Sequence, residues 1–106
     1  QNCEWLGTGW ICDPDYCPNG WQEVARSNFA DGVTGQFGAR CLKGEKRLCC
    51  RNNVIGADPK KNCFTSATIG KCPNGTFKAF VNINWRSHNC RPLYPLCCSK
   101  NVFIGF

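Results

Sequence analysis

The sequence has no methionine, a single histidine (His88), and no two cysteines in the C-x2-C spacing of a zinc knuckle. Structural zinc is held by sets of Cys and His ligands that usually arrive in such pairs. Neither zinc nor any other metal or cofactor is therefore expected. Long apolar runs are missing too: stretches such as Val102-Phe103-Ile104 fall far short of the roughly 20 apolar residues of a membrane helix. No basic-then-apolar leader opens the chain, so Gln1 reads as a mature terminus left by signal-peptide removal. No segment carries the apolar stripe of a helix. Residues 63–106 contain no aspartate or glutamate.

Cysteine is what the chain has in abundance, eleven in 106 residues. That density marks a small secreted scaffold held by disulfides, and an extracellular location. The length is that of one domain. Half of it would bury too little apolar surface to offset its chain entropy. A disulfide closing a loop of about 15 residues contributes roughly 3 kcal/mol, so two or three per half make a rigid unit.

The cysteines fall into two series, each marked by the tetrapeptide Cys-Pro-Asn-Gly, at Cys17 and at Cys72, and each ending in a Leu-Cys-Cys doublet. Cys3, Cys12, Cys17, Cys41, Cys49 and Cys50 form the first series; Cys63, Cys72, Cys90, Cys97 and Cys98 form the second. The expected fold is small, disulfide-rich and mainly β. It comprises two divergent tandem cysteine repeats, each with short antiparallel strands and long loops. Repeat one spans 1–50 and repeat two 63–106, with an apolar C-terminal strand. The segment 51–62, rich in turn formers and charge, is read as the linker. The odd count leaves one cysteine unpaired or bridged to another molecule.

In each tetrapeptide, proline presets the second turn position, asparagine takes the third, and glycine leaves with positive φ. A strand is expected to follow. After the second turn Phe77, Ala79, Val81, Ile83 and Trp85 alternate with Lys78, Phe80, Asn82, Asn84 and Arg86, the pattern of a half-buried strand. The counterpart after the first turn begins at Trp21. Adjacent cysteines on a strand point to opposite faces, so each doublet is expected to serve two different partners. The glycine-rich stretch from Ser27 to Gly38 reads as a loop, because no helix follows to make it a phosphate cradle.

Residues 3–50, through Cys3, Trp5, Gly7, Thr8, Cys12, Cys17, Pro18, Gly20, Trp21, Cys41, Gly44, Lys46 and the first doublet, resemble a small secreted cysteine-rich module of fungi, bacteria and invertebrates. Its pattern is C-x-W-x-G-T-x3-C, then C-P-x-G-W, then C-x2-G-x-K-x2-CC. The resemblance implies fold and secretion, with no activity assigned. Residues 63–106 keep only the cysteine skeleton and the turn. Their C-x6-CC ending also resembles that of β-defensins.

Catalysis needs a base, a nucleophile and an orienting group. His88 follows Ser87 directly, and neighbours in sequence point apart, so no catalytic residue is assigned and no enzymatic activity is expected. Asp13-Pro14-Asp15 reads as turn chemistry rather than a calcium or acid/base pair. Asn74-Gly75-Thr76 is an N-glycosylation sequon at a turn.

Charge is shared unevenly. Residues 1–50 hold five bases and six acids, 51–62 three bases and one acid, and 63–106 five bases alone. Lys71, Lys78, Phe80, Arg86 and Arg91 are accordingly the expected surface-binding residues, cations beside an aromatic ring. The expected partner is an extracellular glycan or an anionic microbial surface, not nucleic acid. A second reading is a self-assembling filament subunit joined head-to-tail. It would use the odd cysteine and the apolar tail, Val102, Phe103, Ile104 and Phe106, as an added strand. An inhibitor or toxin acting through the Ser27–Gly38 loop is third.

Overall fold

The computed structural model describes residues 2–7, 11–28, 30–32, 37–68, 70–82 and 94–104. It is a small, disulfide-rich, mainly β fold. The strands are β1 (Cys3–Leu6), β2 (Ile11–Cys12), β3 (Trp21–Ser27), β4 (Ala30–Gly32), β5 (Lys43–Gly44), β6 (Lys46–Arg51), β7 (Cys63–Thr65), β8 (Thr76–Asn82) and β9 (Tyr94–Ser99). One short helix, α1 (Pro59–Asn62), precedes β7. Among the described residues no helix is long and apolar enough to cross a membrane.

The first sheet has the order β1-β6-β3 and the second β4-β8-β9-β7, with β2 and β5 forming a separate parallel pair. Within the second sheet, β7-β9-β8 follows the same antiparallel plan as β1-β6-β3. Cys3 faces Cys50 and Cys63 faces Cys98 across their ladders, and both pairs are bridged. Cys49 pairs with Cys17 and Cys97 with Cys72. Each doublet therefore divides between two partners, as alternation along a strand requires. The ladders also break at matching places, between Glu23 and Ala25 and between Lys78 and Phe80.

Those breaks change which residues are inside. A bulge inserts one unpaired residue and shifts the alternation beyond it. Ala79 is the extra residue of β8, so Phe80 takes the place opposite Leu96. It is 4% exposed. Strict alternation had placed Phe80 outside beside the cations; the bulge turns it into the core, so it is not an exposed ring on the outer face of the strand.

The two turns also differ by one residue from expectation. The Trp21 N–H donates to the Pro18 carbonyl (3.0 Å) and the Thr76 N–H to that of Pro73 (3.1 Å). Proline thus opens each turn, and glycine occupies the third position with φ of 88° at Gly20 and 90° at Gly75. Nothing lies within 4 Å of a Cβ built at either glycine. Backbone conformation, not space, demands glycine there.

The segment 51–62 is more than a connector. Arg51 ends β6, Asn52–Val54 form a 3-10 turn, and Val54, Ile55 and Pro59 are buried. The tail docks on this segment. Gly56 and Ala57 donate to the carbonyls of Val102 and Asn101, Ile104 donates to Val54, and Ile55 pairs with Phe103. Val102 is fully buried, and the ring of Phe103 stands 5.7 Å from that of Phe77. Val102 and Phe103 are therefore engaged within their own chain. Ile104 remains half exposed, and Phe106 lies outside the described residues.

One continuous core joins these parts: Cys3, Val24, Leu48 and Cys50 from the first sheet, Val54 and Ile55 from the connecting segment, Ala79, Phe80 and Cys98 from the second sheet, and Val102 from the tail. A smaller cluster of Cys12, Phe37 and Cys41 meets it at Trp5. β4, inside the stretch read as a loop, forms the edge of the second sheet by pairing with β8. The first half thus lends a strand to the second.

Candidate ligand-binding cleft

A cleft of about 260 Å³ opens where the two halves meet. β3 contributes Val24, Ala25 and Arg26; α1 contributes Pro59 and Lys60; β7 contributes Cys63 and Thr65; Phe80 and Leu96 come from β8 and β9. Phe80 reaches this wall through the bulge at Ala79, and Val24 through the matching bulge in β3.

Lys60 is held at the rim by local helix chemistry. The Asp58 carboxylate accepts from the Lys60 N–H at 3.0 Å, and proline at the first helical position needs no partner for its missing donor. Asn62 Nδ2 donates to the Asp58 carbonyl at 2.8 Å. The Lys60 side chain is left in water. Arg26 is tied less tightly: its Nε donates to Glu23 Oε1 at 3.0 Å, and its side chain remains 54% exposed. Glu23 also contacts the guanidinium of Arg47. One carboxylate thus faces two guanidiniums, leaving positive charge beside the cleft.

The arrangement is an apolar floor of Val24, Phe80 and Leu96 under a cationic rim of Arg26 and Lys60. It suits a ligand with an anionic group and an apolar or C–H-rich body. Among the described residues Thr65 supplies the one lining hydroxyl, and no carboxylate or imidazole lines the cleft.

Of the three expected surface-binding residues that are described, Lys71, Lys78 and Phe80, only Phe80 lines the cleft, as its floor. Lys71 and Lys78 are exposed but stand outside the lining. Arg86 and Arg91 lie outside the described residues, as do Ser87 and His88. Asn74 is exposed in its turn, followed by Thr76, whose Oγ1 donates to the Pro73 carbonyl at 2.6 Å. Asp13 and Asp15 belong to no group of three or more metal-ligating side chains among the described residues. Ten of the eleven cysteines are bridged, with Cys12–Cys41 completing the five disulfides. The odd one, Cys90, lies outside the described residues.

Sequence reasoning missed Arg26 and Lys60. For Lys60 a signal existed: Asp58-Pro59 is a helix-start pair, hidden in a stretch read only as turn-forming. For Arg26 there was none, since its place depends on the meeting of two sheets.

No protein-family model, curated protein or solved structure matches this chain.

Proposed function

We propose that this is a secreted, non-enzymatic binding protein, built from two diverged copies of one disulfide-stapled module, that recognises an anionic extracellular polysaccharide or microbial envelope. The observation that carries the reading is the cationic rim of Arg26 and Lys60 over an apolar floor. It stands in a chain with no carboxylate side chain after Asp58. Clustered cations raise the local concentration of an anionic polymer and speed its capture. The apolar floor supplies the short-range contact that charge alone lacks. The five disulfides accord with an oxidising, extracellular setting.

The second reading, a filament subunit, finds less support, because residues 101–104 hydrogen-bond to residues 54–57 of their own chain.

Retention on an immobilised acidic polysaccharide tests the proposal. Wild-type protein elutes at raised salt; Lys60→Glu elutes earlier, and Lys60→Glu with Lys78→Glu earlier still. Equal elution of all three, or elution that ignores salt, overturns it.

A further inference from the structure

A second cavity, of about 240 Å³, lies in the first half of the chain, lined by Asp13, Pro14, Arg26, Glu45 and Arg47 among others. The anionic reading makes no use of it, and its chemistry differs. Arg47 is only 7% exposed. Its Nη1 donates to the Asp15 carbonyl at 2.6 Å, and its guanidinium touches Glu23. That contact is made by the buried Nε, which stands against Glu23 Oε1. The Arg47 side chain is one wall of the cavity.

Tyr16 is not itself a lining residue but packs on Arg47, which is one. Its ring is 4.9 Å from the Arg47 guanidinium, yet the residue is 86% exposed. An aromatic ring held over a buried guanidinium and left otherwise in water is a ready stacking surface. Asp13 and Glu45 add two exposed carboxylates at the cavity wall. The segment bearing Asp13 and Tyr16 is fastened at both ends, by Cys12–Cys41 and Cys17–Cys49. Little ordering of that segment remains to be done when a ligand arrives.

We propose that this cavity binds one ring of a neutral saccharide. The carboxylates of Asp13 and Glu45 accept from ring hydroxyls, the Arg47 guanidinium donates to a sugar oxygen, and Tyr16 lies against the ring's C–H face. Two carboxylates and two guanidiniums leave the lining without net charge, so the ligand needs no charged group. A volume below the roughly 300 Å³ where pockets for larger ligands begin limits the occupant to a single ring. Arg26 lines both this cavity and the cationic cleft, whereas Lys60 lines the cleft alone, and a neutral ligand needs no net positive charge.

The test is titration of the folded, oxidised protein with neutral methyl glycosides at millimolar concentration, read by amide chemical shifts and saturation transfer. It is run at high salt, where a Debye length of about 3 Å at 1 M suppresses the cleft's attraction for polyanions. One neutral glycoside is expected to shift the amides of residues 13, 15, 16 and 44–47. Tyr16→Ala is expected to weaken it about five-fold or more, and Glu45→Gln to weaken it too. Both side chains are exposed, so the melting temperature should hold. Lys60→Glu should leave this binding intact while impairing retention on acidic polysaccharide, which separates the two sites. The proposal fails if no neutral glycoside shifts these amides, if the shifts survive unchanged in both variants, or if acidic sugars alone produce them.

Discussion

The indole of Trp5 stands edge-on to the ring of Phe80, with centroids 5.2 Å apart and planes at 81°. Trp5 belongs to β1 of the first sheet and Phe80 to β8 of the second, so this contact stitches the halves together. On its other side Trp5 meets Phe37 at 4.8 Å, joining the small cluster to the main core. Phe80→Ala should cost about 3–5 kcal/mol, the usual range for emptying a buried aromatic site. A double-mutant cycle with Trp5→Leu and Phe80→Leu should return a coupling of about 0.5–1.5 kcal/mol, read by denaturant unfolding. Zero coupling, with first-half amides undisturbed by the Phe80 change, would mean the halves fold separately.

This contact also marks the limit of what the chain spells out. The cysteine skeleton was legible: the doublets divide between partners because alternation along a strand leaves no choice. Turn positions were legible to within one residue, because proline and glycine constrain backbone angles locally. The burial of Phe80 was not, since a bulge at Ala79 is settled by the partner strand and leaves no local mark. β4 was equally hidden. Three residues cannot hold a strand alone, and Ala30–Gly32 are extended because β8 lies beside them. The cleft inherits this opacity, being made of residues that meet only after the sheets dock.

The Cys12–Cys41 disulfide separates two roles for the cross-links. It closes 29 residues of sequence and ties the β2–β5 corner to the cluster of Phe37 and Trp5. Loop closure of that length is worth about 3–4 kcal/mol, reduced to the extent that the other bridges already restrict the unfolded chain. The paired change Cys12→Ala with Cys41→Ala should lower the melting temperature while leaving the β3–β6 amides protected from exchange. In the same variant the segment carrying Asp13 and Tyr16 loses one anchor, so affinity for the neutral glycoside should fall while retention on acidic polysaccharide stays. Parallel loss of both would show that the corner organises the whole fold.

Lys46 gives the fold a pH signature. Its side chain is buried, its Nζ donates to the Phe37 carbonyl at 2.6 Å, and the same atom sits 4.5 Å from the Phe37 ring centre. Loss of hydration on burial holds its pKa below the ordinary 10.5. Between the lowered folded value and the unfolded one, the unfolded chain binds the proton more readily. Stability from this group therefore increases as pH rises through that window, and is lower when the lysine is charged. Selective NMR titration of the Lys46 side chain should give a midpoint below 10.5. Lys46→Met, which keeps the aliphatic stem and removes the charge, should flatten the rise in stability. A rise that persists in the variant would assign it to another group.

Removing residues 101–106 decides between a tail that holds the fold and one that joins molecules. Val102 is fully buried in the shared core, and the chain around it shares three backbone hydrogen bonds with residues 54–57. Val102→Ala alone should cost about 2 kcal/mol. The truncated chain should lose far more, because Val54 and Ile55 would then face water. Both forms should run as the same monomer in light scattering under conditions where they are folded. Reduced association with an unchanged melt would instead make the tail an assembly strand and restore the filament reading.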